Sequence, residues 1–392
     1  MDYEVNESLR VVFQAIKERC SRPVLFDGFE LKVLLQNLSP LEQLLAARYF
    51  CKLPWNVGSL RVLAVLQSAN VLTASNYLLS MYICRLENDE EVQLILNDFL
   101  EAEFELLKEL YTVAYYDSSN AIRLNDCLDE CLSRLYADLM EKPQLNDLTY
   151  INGITKHMPT DFTLSLMQRH IRAALDLHKS NAKTAFGNFS NWINEGVDEI
   201  QFTKELYEKL FRHSEQEAIS YLFKLSCLEH FSQWKFYLIL LQTISSKCSE
   251  ENSAFIRKYL KTRLSQIAAL PKRESMLHLL LSVRAATAIT MDIDKNITAY
   301  ADWYKRNISD MKFVLKVEEF KAIIDILEQC IPYESLEDYL EIHATFSISP
   351  PVHCGKIVQS YKSKCKMHLT KIKSKARQSS EHDESIVIED CN

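Results

Sequence analysis

The side chains able to do chemistry are scattered through this chain rather than gathered. There are 11 Cys, spread from Cys20 to Cys391, and 10 His. Cys127 and Cys131 stand four apart, on one face of a helix, and His353-Cys354 comes shortly before Cys365. Zinc needs four converging ligands at recognisable spacing, and the chain has no CxxC pair and no HExxH string. An odd number of unpaired cysteines reads as free, buried thiols in a reducing compartment. Phosphate cradles need clustered glycine for tight turns and close backbone approach. The 6 Gly of these 392 residues stand singly, where an average chain has about 7%. There is no GxSxG string, and acids such as Asp89-Glu90-Glu91 and Glu318-Glu319 read as helix starts or solvated faces. These residue types and spacings offer no catalytic residues, no cofactor, no metal and no small-molecule substrate.

The sharpest pattern is at the end of the chain. In Asp383-Glu384-Ser385-Ile386-Val387-Ile388-Glu389-Asp390, three β-branched aliphatics lie between acid pairs. Such a segment can add as a strand to a sheet edge, with backbone bonds giving affinity and alternate side chains filling pockets. Its acids would meet lysines beside that groove and set orientation and on-rate. The string resembles a SUMO-interacting motif, which implies SUMO or SUMOylated proteins as partners, held by Ile386, Val387, Ile388, Glu389 and Asp390. The plain reading is an aliphatic patch in an acidic tail. Ser380, with Asp383 three residues on, resembles an acid-directed phosphorylation site; a phosphate would add charge beside the motif. Leu315-Lys316-Val317-Glu318 matches the short consensus for SUMO attachment at Lys316, a weak pattern whose plain reading is a residue at the start of an amphipathic helix.

A basic stretch precedes the tail. Residues 355–377 hold eight Lys and Arg and no acid, while 378–392 hold five acids and no Lys or Arg. Lys371, Lys373, Lys375 and Arg377 read as a nuclear-localisation patch, with nucleic-acid contact as a second reading. Interleaved Val358, Tyr361, Met367 and Leu369 fit a basic amphipathic helix docked by its apolar side. LxxLL strings at 31–35, 41–45 and 277–281 can dock into grooves, but leucine-rich core helices produce them automatically.

The elements that must position these residues are helices. Ser39-Pro40-Leu41-Glu42 reads as a capping box with Pro at the first helical position. Ser214-Glu215-Gln216-Glu217 and Ser335-Leu336-Glu337-Asp338 repeat the logic, and Asn88-Asp89 caps another start. Helical spacing of apolar residues predicts helices over 5–20, 28–37, 40–53, 58–69, 73–86, 89–116, 119–141, 145–157, 161–179, 181–195, 203–212, 215–229, 231–247, 251–268, 271–289, 294–308, 316–330 and 335–344. Short connections make successive helices antiparallel neighbours.

Composition agrees. The chain is 47% hydrophobic and 25% charged, enough for a sizeable core, with net charge −8, so its body is not built to coat nucleic acid. The polar start, MDYEVNESLR, is unlike a signal peptide, and runs such as 236–241 are too short to span a bilayer. No membrane contact is expected, and cytosol or nucleus remains. Helix pairs recur about every 35–45 residues, so the body resembles HEAT- and armadillo-type arrays, without their consensus. The expected fold is all-α: an irregular helical array over 1–349 with a soft junction at 142–159, a partly helical basic segment over 350–377, and a disordered acidic tail over 378–392. The corresponding function is a non-enzymatic nuclear scaffold or adaptor in a chromosome-maintenance complex (DNA repair, replication or chromatin), with a SUMO-binding tail and protein partners. Nucleic acid could join through the basic segment. The alternative is a structural subunit of an obligate cytoplasmic or nuclear complex, such as a transport or ubiquitin-ligase scaffold, with no SUMO role. An enzyme with helical metal carboxylates would need clustered acids facing a cavity.

Overall fold

A computed structural model describes residues 7–22, 28–84, 94–95, 98, 104–116, 121–141, 151, 160–194, 197–228, 230–290 and 292–386. Among these the secondary structure is helical, and the one β feature is an isolated bridge between Ser180 and Gln233. The chain divides into two compact units, Met1–Ala173 and Ala174–Asn392. The junction expected at 142–159 lies outside the described residues except for Ile151, as does the expected helix 145–157.

The first unit holds α1 (Glu7–Ser21), α2 (Gly28–Gln36), α3 (Pro40–Phe50), α4 (Ser59–Ser68), α5 (Ala74–Cys84), α6 (Phe104–Tyr116), α7 (Ala121–Glu141) and most of α8 (Thr160–Asp176). The start of α3 follows the sequence expectation. Pro40 takes the first position, Ser39 Oγ accepts the Glu42 N–H, and the Glu42 carboxylate accepts the Ser39 N–H at 2.8 Å. Helix α1 packs on α2, α3 and α4, burying Leu9, Val12 and Ile16 with Leu31, Leu35, Phe50 and Leu63. Gly58 lets α4 approach the end of α1: its N–H bonds Cys20 O at 3.1 Å, and a Cβ there would lie 2.0 Å from Arg19 O. Deeper in this unit His170 bonds the Tyr136 hydroxyl, and burial, then the Arg169 charge, holds its imidazole down to about 3.

The second unit holds α9 (Ala182–Asn194), α10 (Val197–Leu206), α11 (Glu215–Ser226), α12 (Trp234–Lys247), α13 (Glu250–Ala269), α14 (Arg273–Thr287), α15 (Ile293–Tyr304), α16 (Val317–Cys330), α17 (Glu337–Thr345) and α18 (Gly355–Ile386). Many helices pack on the next or the next but one, as α11 on α12 and α13, α12 on α14, α14 on α15 and α16, α15 on α17, and α16 on α18, while α9 reaches α12 and α14 and α13 reaches α16. This packing is compatible with a helical solenoid. Helices α12 and α14 are sheathed on both sides, which explains why 236–241 and 279–281 are buried throughout.

Two cap expectations are corrected here. Ser214 sits at the N-cap of α11, but its side chain makes no cap bond. The N-cap of α17 is Leu336, not Ser335, because the Glu334 carboxylate takes the Leu336 N–H at 3.0 Å. The helix expected over 203–212 begins earlier, at Val197, and ends in a π-turn, Tyr207–Phe211. Past Pro350-Pro351, helix α18 runs from Gly355 to Ile386, so it extends past Arg377 into the tail expected to be disordered from Gln378, a stretch without Gly or Pro after Gly355 to stop it. Its side chains are described as far as Ser374.

Candidate interaction surface: the last helix and the polar centre beneath it

Helix α18 owes its seat to apolar spacing. Cys354, Val358, Tyr361 and Cys365 recur at helical intervals and are buried against α16 and α17. Burial brings polar groups with it, and these must find partners. His343, on α17, shares one ring nitrogen with the Tyr300 hydroxyl at 2.9 Å and the other with the Tyr361 hydroxyl at 2.7 Å. A neutral imidazole has one donor and one acceptor, so one tyrosine donates and the other accepts. Burial, reinforced by Arg284 and Lys362, holds His343 down to about 3, so the ring is neutral at physiological pH. Lys362 reaches over the rings of Tyr304 and Tyr361 and donates to the His343 carbonyl at 2.6 Å. Desolvation lowers its ammonium to about 8.

A second buried charge lies close by. Arg284, on α14, is fully buried, with its guanidinium 4.0 Å from the Tyr339 ring centroid and 4.6 Å from that of Phe186. Its ion-pair partner is Glu334, in the turn between α16 and α17. The Glu334 carbonyl also bonds His368 of α18, at 3.0 Å. The turn thus ties α14, α17 and α18 together. Tyrosine pKa values here are pushed up by burial, Tyr300 and Tyr339 to about 12. The centre is a set of neutral hydroxyls, one neutral imidazole and one paired guanidinium. It can hold helices in register. Among the described residues no group of three or more His, Cys, Asp and Glu could hold a metal ion.

The outer surface of α18 is divided. Lys364 pairs with Glu328 and Lys373 with Glu337, the latter at 2.9 Å. Lys356, Lys366 and Lys371 are exposed and make no ion pair among the described residues. Of the four residues assigned to nuclear localisation, Lys371 therefore faces solvent and Lys373 is half-buried and engaged with Glu337. Lys375 and Arg377 share the helix, but their side chains lie outside the described residues, as does that of Ser380. Ile386 is the last described residue; Val387, Ile388, Glu389 and Asp390 of the SUMO-like string lie outside. Lys316 is exposed at the N-cap of α16.

Residues 31–375 match the model of a family described as Fanconi anaemia group A protein N terminus. The chain belongs to this family. No curated protein and no solved structure matches it. At family level, Fanconi A proteins are non-catalytic components of a multi-protein DNA-repair complex. The match takes in nearly all of the second unit and ends within α18, before Arg377, so the acidic tail lies beyond it. Among the described residues no helix is long and apolar enough to cross a membrane.

One surface feature of this Fanconi A N-terminal chain departs from the sequence expectation for its LxxLL strings. Leu31 and Leu35, and Leu277, Leu280 and Leu281, are buried as expected of core helices. On α3, however, Leu41 is 56% and Leu44 65% exposed. The inward face of α3 is made by Ala46, Ala47 and Phe50, which turns the leucine pair outward. The thiols also divide: Cys20, Cys330, Cys354 and Cys365 are buried, whereas Cys227 is exposed.

Proposed function

We propose that this chain is a non-enzymatic nuclear scaffold in a DNA-repair complex, with a tail that reads SUMO. Membership of the Fanconi A N-terminal family across 31–375 carries the scaffold reading. The buried centre beneath α18 supports it, since His343, Tyr300, Tyr361 and the Arg284–Glu334 pair join residues of different helices. The exposed leucines of α3 support protein partners, because adjacent large apolar side chains in water mark contact surfaces. Lys371, Lys373, Lys375 and Arg377 act as the import patch. Ile386, Val387 and Ile388 act as the strand that adds to SUMO, with Glu389 and Asp390 as its electrostatic guide.

A second reading of the basic helix has its own observation. Lys356, Lys366 and Lys371 lie along one exposed arc of α18 without acid partners, as phosphate contacts would require. The two readings separate by salt: nucleic-acid affinity falls with a log–log slope of about −0.7 to −0.9 per phosphate neutralised.

The deciding experiment is affinity purification with mass spectrometry on the intact chain, residues 1–377, and the double variant Ile386→Ala with Ile388→Ala. All three should recover the same repair subunits, while only the intact chain recovers SUMO-modified proteins. Recovery of a transport or ubiquitin-ligase assembly, unchanged by truncation, would establish the structural-subunit alternative. Replacing Lys371, Lys373, Lys375 and Arg377 with Gln should move the tagged protein toward the cytoplasm.

A further inference from the structure

We infer that Lys316 is an acceptor site for a ubiquitin-like modifier, presented on a projecting turn between α15 and α16. Its chemistry is independent of the acidic tail and stands or falls apart from the scaffold role.

The turn is built to project. Helix α15 runs into a π-turn, Lys305–Ser309, and then a 3₁₀ turn, Met311–Phe313. Such a change of helical pitch often marks a functional segment. Ile308, Ser309 and Met311 are buried and anchor it, and Ser309 O accepts the Ser349 N–H at 3.0 Å. On the far side Phe320 is buried in α16. Between these anchors the chain turns outward. The Val314 and Leu315 N–H groups both bond Met311 O, at 3.0 and 2.9 Å. Phe313 is 74% and Val314 63% exposed, and Val317 also faces water. Three apolar side chains bracketing one exposed lysine and left largely in solvent are the pattern of a contact surface.

Lys316 itself is extended, with φ −67° and ψ 160°, as the N-cap of α16. Its backbone N–H is held by the Glu319 carboxylate at 2.8 Å, so the cap does not use its side chain. Its ammonium makes no ion pair among the described residues, whereas neighbouring Lys312 lies over the Phe313 ring and Lys321 pairs with Glu318. The string Leu315-Lys316-Val317-Glu318 supplies an aliphatic before the lysine and an acid two after it. An extended lysine points its amine away from the chain, and an acid two residues on lies where basic groups of a conjugating enzyme can orient the acceptor. Glu318 is 82% exposed at its side chain, and its pair with Lys321 is an i,i+3 surface contact that is readily exchanged. The other described lysines with exposed side chains on α18 lie within a continuous helix, without this extended backbone.

The reaction is acyl transfer from a thioester-charged conjugating enzyme. The neutral Lys316 amine attacks the thioester carbonyl, the C–N bond forms and the C–S bond breaks. The proton lost by nitrogen ends on the departing thiol, leaving an isopeptide bond.

The test is reconstituted conjugation of the full chain with SUMO, its activating and conjugating enzymes and ATP, read by mass spectrometry of branched peptides. Lys316 should carry the principal branch, and Lys316→Arg should remove it while circular dichroism stays unchanged, because the backbone cap survives. Glu318→Gln should slow conjugation roughly two- to fivefold, the rate equivalent of one surface charge contact. Lys312→Arg and Lys321→Arg should leave the yield as in the wild type. Equal conjugation of Lys316→Arg, a principal branch elsewhere, or no conjugate under conditions that fully modify a control substrate would each overturn the assignment.

Discussion

Helix α14 and helix α3 carry the same leucine spacing and use it oppositely. In α14, Leu277, Leu280 and Leu281 are buried between α12 and α16, one turn from Arg284 and its aromatic surround. In α3, Leu41 and Leu44 face water while Ala46 and Ala47 face in. Each helix belongs to its own unit, and each is well formed. The difference lies in neighbours: α14 is covered from several sides, whereas α3 packs mainly on α1. An LxxLL string therefore reports leucine content at helical spacing, and packing decides whether it is core or contact surface.

The comparison can be broken most forcefully at α14. Glu334→Leu would leave Arg284 fully buried without its counter-charge, and loss of one partner of a buried pair costs about 3–5 kcal/mol. Urea unfolding should show that loss; a change below about 1 kcal/mol, the range of surface pairs, would mean the charge finds water instead.

Leucine truncation sharpens the contrast directly. Leu280→Ala should cost about 2–5 kcal/mol, as large-to-small core changes do. Leu44→Ala should stay within about 0.5 kcal/mol, as exposed positions do, while weakening partner capture. Equal costs at the two sites would erase the distinction between core and surface strings.

Acid acts gradually, and it reaches both units. His343 and His170 each titrate near 3 in the folded chain, against an ordinary value of 6.5. The folded state refuses a proton that the unfolded chain accepts, so this stability is fully present above about 6.5 and declines as pH falls toward 3. The slope is at most about 1.4 kcal/mol per pH unit for each histidine. Replacing His343 by Gln should flatten the pH dependence of the second unit's unfolding between those limits; an unchanged slope would show that the imidazole is not the titrating group.

Helix α3 also shows how much of the molecule was readable in advance. Its start needed only Ser39, Pro40 and Glu42, because a cap is satisfied within four residues. The all-α class followed from scarce glycine and helical apolar spacing, and most helix bounds followed from Pro, Gly and capping residues. Ser335 misled because Glu334, a residue whose first duty is to Arg284 fifty positions away, takes over the cap of α17. Likewise Lys316 reads in sequence both as a SUMO-attachment consensus and as a helix start, and its exposure is known only from the fold.

Local interactions, then, are what the sequence determined by itself: which segments are helical, where they begin, and that basic and acidic stretches follow each other at the end. Their partners lie within a turn or two, so spacing alone specifies them. Tertiary structure decided which face of each helix meets another. It turned Leu44 outward and Leu280 inward, split the lysines of α18 into paired and open sets, and gathered Arg284, Tyr300, Glu334, His343 and Tyr361 from four elements and a turn into one centre. Those contacts join residues far apart in the chain. Their energies depend on desolvation and on the sum of many neighbours, which no short stretch of sequence contains.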